Sequence, residues 1–459
     1  MPFLTAQLID KYLKSMRSAI LRTSIIVVLF SLLLVACESS TAPLPAPSET
    51  ASSETINPTA IPTREGTPNL DGEEIFLYFL CGQSGPFADL NISRILAARD
   101  MVDHINSHGG IFGAQLNLQI VDTGGNAEVA TSAYVRIMRL DENIPLLLLC
   151  DSNSEIALAD FLLADSIPAI GPGIAERTHF EEDDSPLFAV NVASDQQFAL
   201  WLDYLVDNWN QLKPSGAADE IRLAIVTDVG EYEADSPPLA YAAGLGVEIV
   251  DQIPITDSPN ANLYDAVYSA RDVNANAIYI HTRSPAAAEL LNALNALGLR
   301  QRVVLSGSSF AFESSLLPYL FITSNATGTY HTLATAWWTD SDNRAINLAE
   351  EIFSTNAHPP EAKDAAYLLF LGAVDIAKHA IEEAIIAGRF ENLDAQAIKA
   401  SLSQLSNYSV LDGLFVVNYR SGNHFLDSLQ IMLLADDPAF LTKLQDYSMP
   451  PQLEYASEE

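Results

Sequence analysis

Two short polar loops each join an apolar run to a helix-like stretch, and both could hold a small anion. The first is Gly82 to Phe87, after the apolar Ile75 to Cys81; the second is Asp151 to Ser154, after Ile144 to Leu149. A helix start presents unpaired N–H groups and a partial positive charge, which favour a carboxylate. Small hydroxyl residues at such a start can add side-chain hydrogen bonds without blocking approach. A local alternative exists for the second loop, in which Ser152 or Asn153 N-caps its own helix. Thr282 and Arg283 follow another apolar run, Ala277 to His281. Arg283 is one of few cations on a very acidic chain, and it could pair with a ligand acid or with a surface carboxylate. Ser308 and Ser309 stand in the same position after the run ending at Leu305.

Catalytic patterns are missing. The sequence contains no Gly-x-Ser-x-Gly elbow, no P-loop and no His-Glu-x-x-His, the arrangements that nucleophilic, phosphoryl and zinc chemistry require. The eight histidines are scattered, and no Cys-x-x-Cys pair points to a metal. Glu181 to Asp184 is a like-charge run that reads as a solvated loop. The expectation is a binding protein rather than an enzyme, with no cofactor.

The elements that must carry these loops alternate. Apolar strands are expected at Ile75 to Cys81, Leu116 to Val121, Ile144 to Leu149, Ile167 to Ile170 and Leu187 to Val190. Helical periodicity falls between them, as at Ile92 to His108 and Glu128 to Leu140. The alternation restarts after Ser194, with strands at Arg222 to Thr227, Glu248 to Ile253, Ala277 to His281 and Arg302 to Leu305. Continuous apolar strands separated by helices indicate an α/β chain with parallel sheets covered on both faces. Gly413 to Leu434 alternates like a terminal hairpin turning at Arg420 to Asn423.

The N-terminal region indicates where the protein works. Ser24 to Val35 is an apolar run of about twelve residues, short of the roughly 20 that span a bilayer but suited to a secretory signal with Arg17 and Arg22 ahead of it. Met16 is an alternative start. The run ends in Leu34-Val35-Ala36-Cys37, which resembles the lipobox of bacterial lipoproteins and implies lipidation of Cys37. The alternative is an ordinary cleaved signal followed by a chance cysteine. Glu38 to Gly72 is rich in Ser, Thr and Pro and cannot bury enough apolar surface to fold, so a disordered tether is expected. The net charge of −36 repels nucleic acid and anionic headgroups. Cys81 and Cys150, both at strand ends, are either a disulfide or two buried thiols.

Several phrases in fixed order resemble the extracytoplasmic substrate-binding proteins of branched-chain amino-acid ABC transporters. They are QSGPFADL at Gln83 to Leu90, AARDMVDHINSHGGIFGAQLNLQIVDTGGN at Ala97 to Asn126, Ser152-Asn153-Ser154, Ala193-Ser194-Asp195 and Ala366-Tyr367. The resemblance implies the type I periplasmic binding fold: two doubly wound parallel-sheet lobes joined by three crossovers. The lobes would be 73–190 plus 330–407 and 191–329 plus 408–437, after a 1–37 signal and a 38–72 tether and before a 438–459 tail. It further implies that Ser84 and Gly85 in one turn, and Asp151, Ser152, Asn153 and Ser154 in the other, hold a ligand carboxylate and part of an amino group. Bulk at Ser84 or Ser152 would then abolish binding. Tyr232 would pack on the ligand, with Thr282, Arg283 and Ser308 completing the cleft and Trp337 and Trp338 candidates for its mouth. The family commonly places an acid near Gly307-Ser308-Ser309 to neutralise an ammonium. Here that role would fall to Asp151 or Glu231, or the ligand lacks an amine. The implied partners are a small solute, an ABC permease and, through the anchor, the membrane. The chain is expected to be a monomer. A sensory or envelope-regulatory lipoprotein of the same fold is the alternative.

Overall fold

Alternation of apolar strands with helices builds two sheets. The structure is a computed structural model and describes residues 68–453, apart from 86–87, 141–143, 174–176, 182–183, 228–231, 233–235, 256–262, 389, 421 and 435–440. Cys37, the signal-like run, most of the tether and Glu231 therefore lie outside the described residues.

The first sheet contains β1 (Glu74–Cys81), β2 (Gln115–Asp122), β3 (Leu147–Leu149), β4 (Ala169–Gly171) and β5 (Leu187–Ala189). Their order is β2-β1-β3-β4-β5, and every pairing is parallel. All residues of β3, β4 and β5 are buried, as in a sheet covered on both faces, so these strands appear as unbroken apolar runs. Between the strands lie α1 (Ala88–Ser107), α2 (Ala127–Leu140), α3 (Ser152–Asp165) and the short α4 (Thr178–Glu181).

The second sheet repeats that winding. After α5 (Ser194–Leu212) come β6 (Arg222–Thr227), α6 (Pro237–Gly244), β7 (Glu248–Pro254), α7 (Tyr264–Asp272), β8 (Ala277–His281), α8 (Ser284–Ala296), β9 (Val304–Gly307) and β10 (Tyr330–Leu333). Strands β7-β6-β8-β9-β10 are parallel neighbours in that order. The chain then forms α9 (Arg344–Thr355) and α10 (Ala365–Gly388), which pack on α1, followed by α11 (Ala395–Leu402) and a minor pair, β11 (Tyr408–Ser409) and β12 (Val416–Val417). It returns to the second sheet as β13 (Leu429–Leu434) and β14 (Leu441–Ser448), both antiparallel. The chain thus crosses between the sheets three times.

Two expectations are corrected. Tyr330 to Leu333, assigned from sequence to the first lobe, is β10 and bonds to β9 and β13 in the second sheet. The terminal hairpin is β13 with β14, at 429–448, so part of the supposed tail is a strand. Arg420 and Asn423 do bridge a turn, but that turn precedes the hairpin.

The helix that carries much of the cleft is fixed by a buried carboxylate. Asp100 on α1 accepts from the Tyr367 hydroxyl of α10 and from Asn356 Nδ2 at 2.9 Å, and His358 Nε2 lies 2.6 Å from it. Removing one partner of such a network strands the others without water. Within the first sheet, Cys81 and Cys150 are joined in a disulfide. The pairing register, Leu80 opposite Leu149, places them side by side at the carboxyl ends of adjacent parallel strands.

Candidate functional site

Strand order fixes where a site can form. In a 2-1-3-4-5 sheet, the connections from the first and third strands leave in opposite directions and open a crevice at their carboxyl ends. In the first lobe those connections are Gly82 to Phe87 and Cys150 to Ser152; in the second, they follow β6 and β8. A cavity of about 50 Å³ lies there, lined from the first lobe by Asn91, Arg94, Asp151, Ser152 and Asn153, and from the second by Arg283, Phe310 and Glu313. About 15 Å³ of such space holds one water, so it accommodates a few small groups.

Three of the loop amides expected to grip an anion, those of Gln83, Ser84 and Ser154, already have partners. Asp122, at the end of β2, accepts through Oδ1 from the N–H groups of Gln83 (2.9 Å), Ser84 (3.1 Å) and Gly124 (2.9 Å). Against a desolvation that acts the other way, the Ser84 hydroxyl and these amides hold the Asp122 carboxyl below its usual range. The fit is close: a Cβ on Gly82 would stand 2.6 Å from the Gly125 nitrogen. Asp151 N-caps α3, accepting from the Ser154 N–H at 2.8 Å. Asn153 Nδ2 donates to the Gly125 carbonyl at 2.8 Å, tying α3 to the loop after β2.

Charge in the cavity comes from side chains. Arg94, on α1, donates through Nη1 to the Leu90 carbonyl at 2.6 Å and through Nη2 to Glu313 Oε1 at 2.6 Å. That ion pair joins the two lobes, with the side chains only 6% and 10% exposed. Arg94 Nε is buried without a hydrogen-bond partner. Burial pushes the Glu313 carboxyl up to about 7; Arg94 opposes the shift and nearby Asp364 adds to it.

A family model described as periplasmic binding protein matches residues 75–435. The chain belongs to the periplasmic binding protein family. The folds of solved structures agree with this. A branched-chain amino-acid ABC transporter protein of Thermus thermophilus with bound valine superposes with a TM-score of 0.71 at 16% identity, over 83% of this chain and 97% of that one. A fatty-acid ABC transporter substrate-binding protein of Thermomonospora curvata gives 0.68 at 18% identity, over 84% and 95%. The branched-chain amino-acid transporter substrate-binding protein of Streptococcus pneumoniae, in complex with isoleucine, gives 0.66 at 14% identity, over 82% and 100%. No curated protein sequence matches significantly.

In this periplasmic binding protein the candidate residues named from sequence separate into three groups. Asp151, Ser152, Asn153 and Arg283 line the cavity. Ser84 and Gly85 are exposed and do not line it. Ser154, Tyr232, Thr282 and Ser308 lie behind it, and the Ser154, Tyr232 and Ser308 hydroxyls are buried without hydrogen-bond partners. The Tyr232 ring stacks on His281 with centroids 5.8 Å apart, and His281 in turn meets Phe310 at 5.6 Å. Burial pushes His281 down to about 4, so it is neutral at ordinary pH. The Ser309 N–H donates to Gln197 Oε1 at 2.8 Å, behind the cleft. Trp337 and Trp338 are buried among the first-lobe helices, where Trp338 packs against Phe353 and Tyr367.

An acid, Glu313, follows the short turn Ser309–Phe312, and its partner is Arg94. Arg94 could have been noticed from sequence: it lies one residue before Ile95, on the buried face of the helix that also carries Ala98, Met101, Val102 and Ile105.

Proposed function

We propose that this protein is a lipid-anchored extracytoplasmic receptor that captures a small polar solute between its lobes and delivers it to an ABC permease. The observation that carries the proposal is the cavity at two strand-order switch points, with walls from both lobes. Such a cavity changes shape when the lobes hinge, which lets capture be coupled to docking. The ligand residues proposed are Asp151, Ser152, Asn153 and Arg283, with Tyr232, Thr282, Ser154 and Ser308 supporting them from behind. Ser84 and Gly85 shape the rim through Asp122. Valine and fatty acids, named for two solved relatives, share a carboxylate. An amino acid or a related amide or carboxylate is therefore the solute class to test.

A thermal-shift screen against amino acids, amides, ureas and small acids tests the reading. A solute at 100 times its dissociation constant stabilises by about 2.7 kcal/mol, and the absence of any response would remove the receptor assignment. Anchoring rests on Leu34 to Cys37 and is tested separately. Cys37→Ser, expressed in full, is expected to leave the membrane fraction, because the acyl chains supply the membrane affinity at about 0.8 kcal/mol per buried methylene. A variant that stayed in that fraction would argue against lipidation.

A further inference from the structure

We infer that Arg94 is the residue that selects a carboxylate in this cleft, and that Glu313 acts as a built-in competitor for its guanidinium. The inference rests on the solute-receptor reading above and adds the anchor and the group it recognises. Three observations lead to it. Three amides of the two candidate loops are taken up by the chain's own carboxylates, at Gln83 and Ser84 by Asp122 and at Ser154 by Asp151. Arg94 lines the cavity, is 5% exposed, and keeps a buried Nε donor without a partner. Its ion pair reaches a carboxylate of the opposite lobe, 219 residues away in sequence. A guanidinium presents its donors as a planar fork that fits a carboxylate on two edges. A solute carboxylate on Nε would satisfy the unpartnered donor. One that also takes Nη2 must displace Glu313.

Protonation biases that competition. Because Glu313 is raised to about 7 by burial, it loses its charge as pH falls through 7 and its hold on Arg94 weakens. A solute carboxylate with an ordinary pKa near 4 stays ionised there. Carboxylate affinity should therefore rise as pH falls from 8 to 6. Charged groups on the elements around Glu313 are Arg94 on α1, Glu361, Lys363 and Asp364 before α10, Asp151 ahead of α3, Arg283 ahead of α8 and Glu289 on α8. Of these, Arg94 and Asp364 act on Glu313 itself.

The test uses the full chain and four probes: butyrate, 4-methylpentanoate, leucine and 4-methylpentanamide. Binding is read by calorimetry and melting temperature. Arg94→Gln is expected to weaken the carboxylate probes about 10- to 100-fold, the range for a hydrogen bond to a charged group, and to weaken the amide much less, since its neutral carbonyl gains less from a guanidinium. Glu313→Gln is expected to tighten them at pH 8. If Arg94→Gln fails to fold, the wild-type affinity at pH 8 and pH 6 decides the matter: tighter carboxylate binding at pH 6 supports the inference, and a flat profile overturns it. Carboxylates bound equally well by wild type and Arg94→Gln overturn it. Binding of the amide alone overturns it while leaving the receptor reading in place. No binding by any probe or screened solute overturns both.

Discussion

Ser152→Trp abolishes solute binding, whereas Ser84→Trp leaves it within about twofold of wild type. Ser152 is the first residue of α3 and lines a cavity of about 50 Å³, so an indole there occupies the space a solute needs. The expected loss is about 100-fold or more in affinity, or about 2.7 kcal/mol. The solute-dependent rise in melting temperature should vanish with it. Ser84 is exposed and hydrogen-bonds to Asp122 rather than facing the cavity. A surface change of that kind costs about 0.5 kcal/mol. Calorimetry on both variants, with circular dichroism to confirm folding, checks the pair. Sequence alone places the two serines in equivalent roles, so equal losses would restore that assignment.

Replacing Cys81 and Cys150 together by serine lowers the unfolding free energy by about 4 kcal/mol. The bridge spans a sequence separation of 69, and the chain-entropy treatment of a loop that long gives this value. The consequence reaches the site, because the two cysteines terminate β1 and adjoin β3 at the switch point. Gly82 and Asp151 follow them directly. Denaturant unfolding should show a lower midpoint and a steeper slope, because the unfolded chain without the bridge exposes more surface. Alkylation of the unfolded, unreduced protein should leave these two positions unlabelled. Labelling at both would mean that the thiols are free.

The parallel sheets were legible because buried strands leave unbroken apolar runs. Arg222–Thr227 and Ala277–His281 have the bounds expected from sequence. The end of the chain was not legible in the same way. β14 (Leu441–Ser448) is an edge strand with most of its residues wholly or partly exposed, so LTKLQDYS carries little apolar signal. The placement of β10 depends on its pairing with β9 and β13, which periodicity within four residues cannot encode. At the site, spacing located the strand-end loops but not the occupancy of their amides. Asp122 reaches back 39 and 38 residues to Gln83 and Ser84, and Glu313 meets Arg94 across the lobes. Such long-range pairs follow from the folded arrangement and leave no local pattern in sequence.

The most direct measurement is a crystal structure of the protein with the tightest solute from the screen. The account predicts the solute between the lobes, against Ser152 on one side and Arg283 on the other, with its polar end toward Arg94. A solute bound outside that gap, or held by the Ser84 loop with Ser152 untouched, would contradict it.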